Sequence, residues 1–104
     1  MAKIRWTDKA VTNLESIFDY IAHDSKVYAA RFVKSLILAT KKLENMPQIG
    51  RSVPELPDHK VREVIYRDYR IVYRTESKTN YIEILAVVHG FRDLPSHFSK
   101  EDEL

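Results

Sequence analysis

The stretch "VREVIYRDYRIVYRTESKTNYIEILAVVH", Val61 to His89, decides the fold. Within it VREVIY (61–66), YRIVYRT (69–75) and YIEILAVVH (81–89) are rich in β-branched and aromatic residues. The gaps between them, RD and ESKTN, are of hairpin length, so the pattern predicts three strands in an antiparallel meander. The run ILAVV is apolar on both strand faces, which predicts an interior strand with helices on one side and something else on the other. Alternation along the middle strand sets Arg70, Val72 and Arg74 on one face, with Tyr69, Ile71 and Tyr73 on the other.

Upstream the period changes from two to between three and four. KIRW (3–6) reads as a short strand, and Thr7 supplies a hydroxyl cap for a helix running from Asp8 to about His23. Ala10, Val11, Leu14, Ile17, Phe18, Ile21 and Ala22 make its apolar stripe, while Lys9, Asn13, Glu15, Ser16 and Asp19 are expected to point outward. Ser25 caps a second helix, whose stripe of Ala29, Phe32, Val33, Leu36, Ile37, Thr40 and Leu43 reaches about Asn45 before Pro47 and Gly50 stop it. Two such helices in succession form a hairpin facing one core. MPQIGRSVPELPDHK (46–60) is a loop or extended connector, because it holds three prolines and a glycine. The order is strand, helix, helix, strand, strand, strand: a single α+β domain over residues 1–104, with 94–104 a polar C-terminal tail. Helices on one sheet face leave the other face and the helix–sheet edges to receive an added segment.

Composition narrows the function classes. The chain has 104 residues, 44% hydrophobic and 31% charged, which suits one globular domain with a thin core. The absence of cysteine excludes disulfides, a thiolate nucleophile and cysteine-ligated metal, and it fits a cytoplasmic location. MAKIRWTD lacks the apolar core of a secretory signal, so the terminal EDEL reads as coincidence rather than a retrieval tag; no run is long enough to span a membrane. The net charge is a modest +2, but from His59 to Lys78 six basic residues face three acids, a local excess of three positive charges. A stripe of that size suits phosphate or an acidic partner; it is too small for tight non-specific DNA binding.

Two readings of the arginines stay open at this stage. A guanidinium at Arg70, flanked by aromatic and β-branched residues, could present its planar donors to phosphate or carboxylate. It could equally belong to a solvated strand face with a cross-strand partner such as Glu63 or Glu83. RNA cleavage needs a base, an acid and positive charge on the transition state; by residue type, Glu63 or His89, His97, and the pair Arg70 and Arg92 could fill those roles. His23, His59, His89 and His97 are scattered without metal-ligand spacing, so neither a metal nor a cofactor is expected.

The chain resembles the ParE/RelE superfamily of bacterial toxins from type II toxin–antitoxin systems along nearly its whole length. IRWTDKAVTNLESIFDYIA, MPQIGRSVPEL, VREVIYRDYRIVYR and IEILAVVHGFRDL carry the resemblance, the last three most specifically by their order. It implies the same two-helix, sheet-forming fold and a cognate antitoxin partner wrapping the helices and sheet. RelE-like members are ribosome-dependent endoribonucleases that cut mRNA; ParE-like members typically inhibit DNA gyrase, without enzymatic activity of their own. Arg70 and Arg92 match two positively charged positions of the RelE site, for which Glu63 with His89 or His97 would complete an alternative acid–base set. VREVIY lacks the lysines of that site, however, and Phe98 stands where such nucleases place a tyrosine. The resemblance therefore implies a ParE-like gyrase inhibitor, a function tied to plasmid stabilization. Arg62, Arg70 and Arg92 are then the candidate target contacts, joined by the tail from Leu94 for its polarity and its position after the sheet, with no sequence-specific DNA binding expected unless an antitoxin is bound.

Overall fold

The structure, a computed structural model, describes residues 1–56, 60–76 and 78–90. The chain runs β1 (Lys3–Trp6), α1 (Asp8–Ala22), α2 (Lys26–Ala39), a 3-10 turn (Lys41–Glu44), β2 (Arg51–Ser52), β3 (Arg62–Tyr66), β4 (Tyr69–Glu76) and β5 (Tyr81–His89). These make one five-stranded sheet in the order β1-β5-β4-β3-β2.

Both helices start at their expected caps. The Thr7 hydroxyl accepts from the Ala10 amide at 3.2 Å and donates to the Ile84 carbonyl at 2.9 Å, so one side chain caps α1 and ties it to β5. The Ser25 hydroxyl accepts from the Tyr28 amide at 3.1 Å. Asn13 does not point to solvent as the helical stripe predicts. Its side-chain oxygen accepts from the Val87 amide at 2.9 Å, a second tie from α1 to β5. The second helix is shorter than its apolar stripe: α2 ends at Ala39, where the buried Thr40 hydroxyl donates back to the Ile37 carbonyl at 2.7 Å. Leu43 still reaches the core, from the 3-10 turn.

The meander forms as predicted, but the sheet is mixed rather than wholly antiparallel. β1 lies parallel to β5, with Lys3 opposite Tyr81 and Trp6 opposite Ile84, and the connector contributes β2 antiparallel to β3. β5 is thus interior. Between Val72 and Tyr73 the β4–β5 register slips, so that Val72 faces Ala86 and Tyr73 faces Ile84. The extra residue, Leu85, is a bulge.

Two clusters flank the sheet. On the helix side Leu14, Ile17, Leu36 and Leu43 pack against Ile71, Tyr73, Ile82, Ile84 and Val87. On the other side Val53, Leu56 and Val61 cover Val72, Leu85, Ala86 and Val88. The outer face is therefore not left free for an added segment, since the chain's own connector occupies much of it. Each such buried valine, leucine or isoleucine side chain contributes about 1.5–3 kcal/mol.

Neutral hydrogen bonds fasten the connector's first half. The fully buried Tyr73 hydroxyl accepts from the Gly50 amide at 2.9 Å and donates to the Pro47 carbonyl at 2.8 Å. Gly50 is required by close approach, because a Cβ there would lie 2.6 Å from that hydroxyl and 2.7 Å from the Glu63 carbonyl oxygen. Burial pushes the phenol of Tyr73 upward in pKa, so it stays a hydrogen-bond donor.

Candidate functional site

Three strands and the connector bring four charged side chains together on the outer face. Arg51 stands opposite Glu63 across β2 and β3, while Arg70 on β4 is Glu63's diagonal neighbour, since Ile65 is its direct partner. Glu63 Oε2 accepts from Arg51 Nε at 2.6 Å and Oε1 from Arg70 Nε at 2.7 Å. The other side of the Arg70 guanidinium is held by Glu55 in a two-bond fork, Nη1 at 2.5 Å and Nη2 at 2.6 Å.

Exposure divides this cluster. The Glu63 side chain is 0% exposed and that of Arg70 6%, whereas Glu55 is 31% exposed and Arg51 62%. Both readings of Arg70 leave its guanidinium accessible, whereas it lies in the protein, 6% exposed, and keeps its charge because two carboxylates replace the lost water. Its hydrogen bonds to Glu55 foremost, and those to Glu63, hold it still more firmly protonated than a free arginine, outweighing desolvation. In return the Arg70 hydrogen bonds keep the Glu55 carboxyl below the usual carboxylate range. Of the two readings of Arg70, the cross-strand partnership with Glu63 is the one formed.

The remaining candidates are spread out. Tyr69 packs edge-on to Phe32 of α2 at 5.7 Å, and His89, its direct partner across the sheet, lies edge-on to Tyr69 at 5.7 Å. Alternation puts that pair on the helix face, so Glu63 and His89 point to opposite sides of the sheet and do not meet. Arg62 also faces the helix side, donating from Nη1 to the Gly50 carbonyl at 2.8 Å. Arg92, His97, Phe98, His59 and the tail 94–104 lie outside the described residues. Among the described residues no group of three His, Asp or Glu is placed to hold a metal ion, and no helix is long and apolar enough to cross a membrane.

Beside Arg70 an open cleft of about 520 Å³ is lined by Arg51, Pro54, Glu55, Ile65, Arg67 and Gly90, among others. Gly90 closes against the β3–β4 turn, its amide donating to the Asp68 carbonyl at 2.7 Å, and a Cβ there would meet the same oxygen at 3.2 Å. Glu55 and Arg51 were not singled out by the sequence reading, because they sit in a proline-rich loop.

The profile of the family described as "ParE toxin of type II toxin-antitoxin system, parDE" matches residues 4–94. The chain belongs to the ParE toxin family. A second comparison agrees: the chain is 34% identical over 97 residues to a Sinorhizobium fredii protein named "Putative toxin Y4kP", covering 89% of this chain and 93% of that one. Among solved structures it is similar to the chromosomal ParDE toxin–antitoxin system from P. aeruginosa, at a TM-score of 0.68 and 23% identity, covering 86% of this chain and 96% of that one. It is also similar to the toxin–antitoxin complex RelBE2 from Mycobacterium tuberculosis, at a TM-score of 0.64 and 19% identity, covering 85% and 96%. At those identities the two structures speak for the fold. The chain is thus a ParE-like toxin of a type II toxin–antitoxin system, and the charged cluster lies on a ParE-type sheet.

Proposed function

We propose that this ParE-like toxin arrests growth in the bacterial cytoplasm by binding DNA gyrase and biasing its cleavage–religation balance, and that a cognate antitoxin neutralises it. The observation that carries a binding mechanism over a nuclease one is the charge cluster itself. Arg70 is already neutralised by Glu55 and Glu63, and Glu63 is fully buried between two guanidinium groups. A ribosome-dependent endoribonuclease needs the reverse: a cation open to the scissile phosphate and a carboxylate or imidazole within reach of the 2′-hydroxyl.

The antitoxin half of the reading draws support from the helices. Val27 and Leu38 are 64% and 55% exposed on one stripe of α2, with the exposed cations Arg31 and Lys34 between them. Tyr20 and Tyr28 extend the apolar surface at the helix junction. An amphipathic segment with acidic residues would suit such a stripe. The structural relatives named above are toxin–antitoxin systems.

The test uses the purified chain with DNA gyrase and supercoiled plasmid. Gyrase-dependent linear DNA should accumulate and should vanish when the cognate antitoxin is added. Unaffected supercoiling and religation, together with ribosome-dependent cleavage of mRNA by the same preparation, would reject the reading. Under the nuclease alternative Arg70→Ala with Arg92→Ala would abolish growth arrest. Arrest that survives both changes in a folded protein removes those residues from catalysis.

A further inference from the structure

Arg70 is gripped from two sides, and the grips are unlike. Glu63 stands on a paired strand, has no exposed side-chain surface and is held a second time by Arg51. Glu55 stands on a turn of the connector, about a third of its side chain is in solvent, and it borders the open cleft. Removing Glu63 would leave the buried Arg70 with a partly exposed loop carboxylate as its remaining counter-charge. Swinging Glu55 outward would uncover the flat, two-donor edge of Arg70 toward that cleft, with Arg51 and Arg67 also lining it.

We propose that Glu55 is a built-in, exchangeable occupant of a carboxylate site on Arg70, and that the external ligand is an acidic side chain of a protein partner that displaces it. The fork that Glu55 makes defines the geometry, two parallel N–H···O bonds to a planar carboxylate. With Glu55 gone, Arg51, Arg67 and Arg70 face Glu63 and Asp68, an excess of one positive charge that a single carboxylate neutralises. The apolar walls decide for a peptide over a nucleic acid. Ile65, directly opposite Arg70 across the strands, is 51% exposed in the cleft beside Pro54, a surface for an aliphatic neighbour of the incoming carboxylate. This site requires neither gyrase nor RNA as the toxin's target.

The test is an NMR titration of the full chain, following the Arg70 Nε–H resonance. The probes are a short synthetic peptide of alternating glutamate and leucine, inorganic phosphate, and a single-stranded oligonucleotide. Glu55→Gln keeps the side chain's size but removes its charge; it should bind the peptide at least about tenfold more tightly than the unmodified chain, a gain of roughly 1.4 kcal/mol. The shift should centre on Arg70, and Arg70→Lys, which keeps the charge but loses the fork, should lose the gain. Glu55→Asp, whose shorter reach weakens the fork, should show a smaller gain, and it decides the matter alone if Glu55→Gln does not fold. Equal peptide affinity with and without the substitution would overturn the proposal. So would a gain confined to phosphate or to the oligonucleotide.

Discussion

The sheet carries two arginine–glutamate–arginine groups that differ mainly in their distance from water. On the outer face Glu63 sits between Arg51 and Arg70; nearer the β1 edge Glu83 sits between Arg74, at 2.5 Å, and Arg5, at 3.3 Å. Glu83 keeps 17% of its side chain exposed, and Arg5 keeps 51% while lying 4.4 Å from the ring of Tyr81. There water screens the excess positive charge, so no second carboxylate is required. In the outer group Glu63 and Arg70 are shut in while Arg51 stays in solvent, and Glu55 completes its neutrality. Burial thus turns an ordinary cross-strand pair into one in which Arg70 depends on Glu63 as its fixed counter-charge, and it withdraws Arg70 from the surface where an arginine-rich strand would be expected to present it.

Substitutions can break this contrast. Glu63→Gln should cost most, roughly 3–5 kcal/mol, because it strands Arg70 without its fixed counter-charge; a denaturant midpoint shifted by much less would mean that water reaches the site. Gly50→Ala should come next. A Cβ there meets both the Tyr73 hydroxyl and the Glu63 carbonyl, and overpacking of this kind costs about 1–3 kcal/mol by thermal melting. Tyr73→Phe should cost about 1–2 kcal/mol, through the Gly50 amide and Pro47 carbonyl left without their partner. Glu83→Gln should cost about 1 kcal/mol or less, and a loss equal to that of Glu63→Gln would erase the distinction between the two groups.

Acid gives the gentlest test. Arg70 foremost lowers the pKa of Glu55, and Arg74 foremost lowers that of Glu83. Both carboxylates therefore bind protons more readily in the unfolded chain. Their stabilisation is present above the usual carboxylate pKa of about 4 and is lost as pH falls through the lowered folded values. Melting temperature should hold from neutrality to about pH 5 and decline below pH 4, with a shallower decline once Glu55 and Glu83 are both replaced by glutamine.

Much of this architecture was legible because it is local. Hydroxyl caps at Thr7 and Ser25, the helical stripes and the two-residue RD turn are read within a few residues of one another, and the limits of β5 follow from a segment rich in β-branched and aromatic residues. The parallel β1–β5 pairing was not legible, since nothing near Lys3 names a partner near Tyr81. The Leu85 bulge was hidden because every residue of ILAVV is apolar. At the site the Glu63–Arg70 contact was within reach, for counting back from the RD turn sets Ile65 opposite Arg70 and Glu63 on its diagonal. Arg51 and Glu55 were missed because they reach the sheet through a segment that reads as loop, and the same connector hides the face on which Arg70 was expected to be exposed.

The most direct test of a binding toxin is to induce this chain alone in a bacterial host and follow the DNA-damage response and mRNA integrity in the same culture. A strong DNA-damage response with intact mRNA is the predicted result. Rapid mRNA cleavage with undamaged DNA would contradict it and would require the Arg70 cluster to open into an active site.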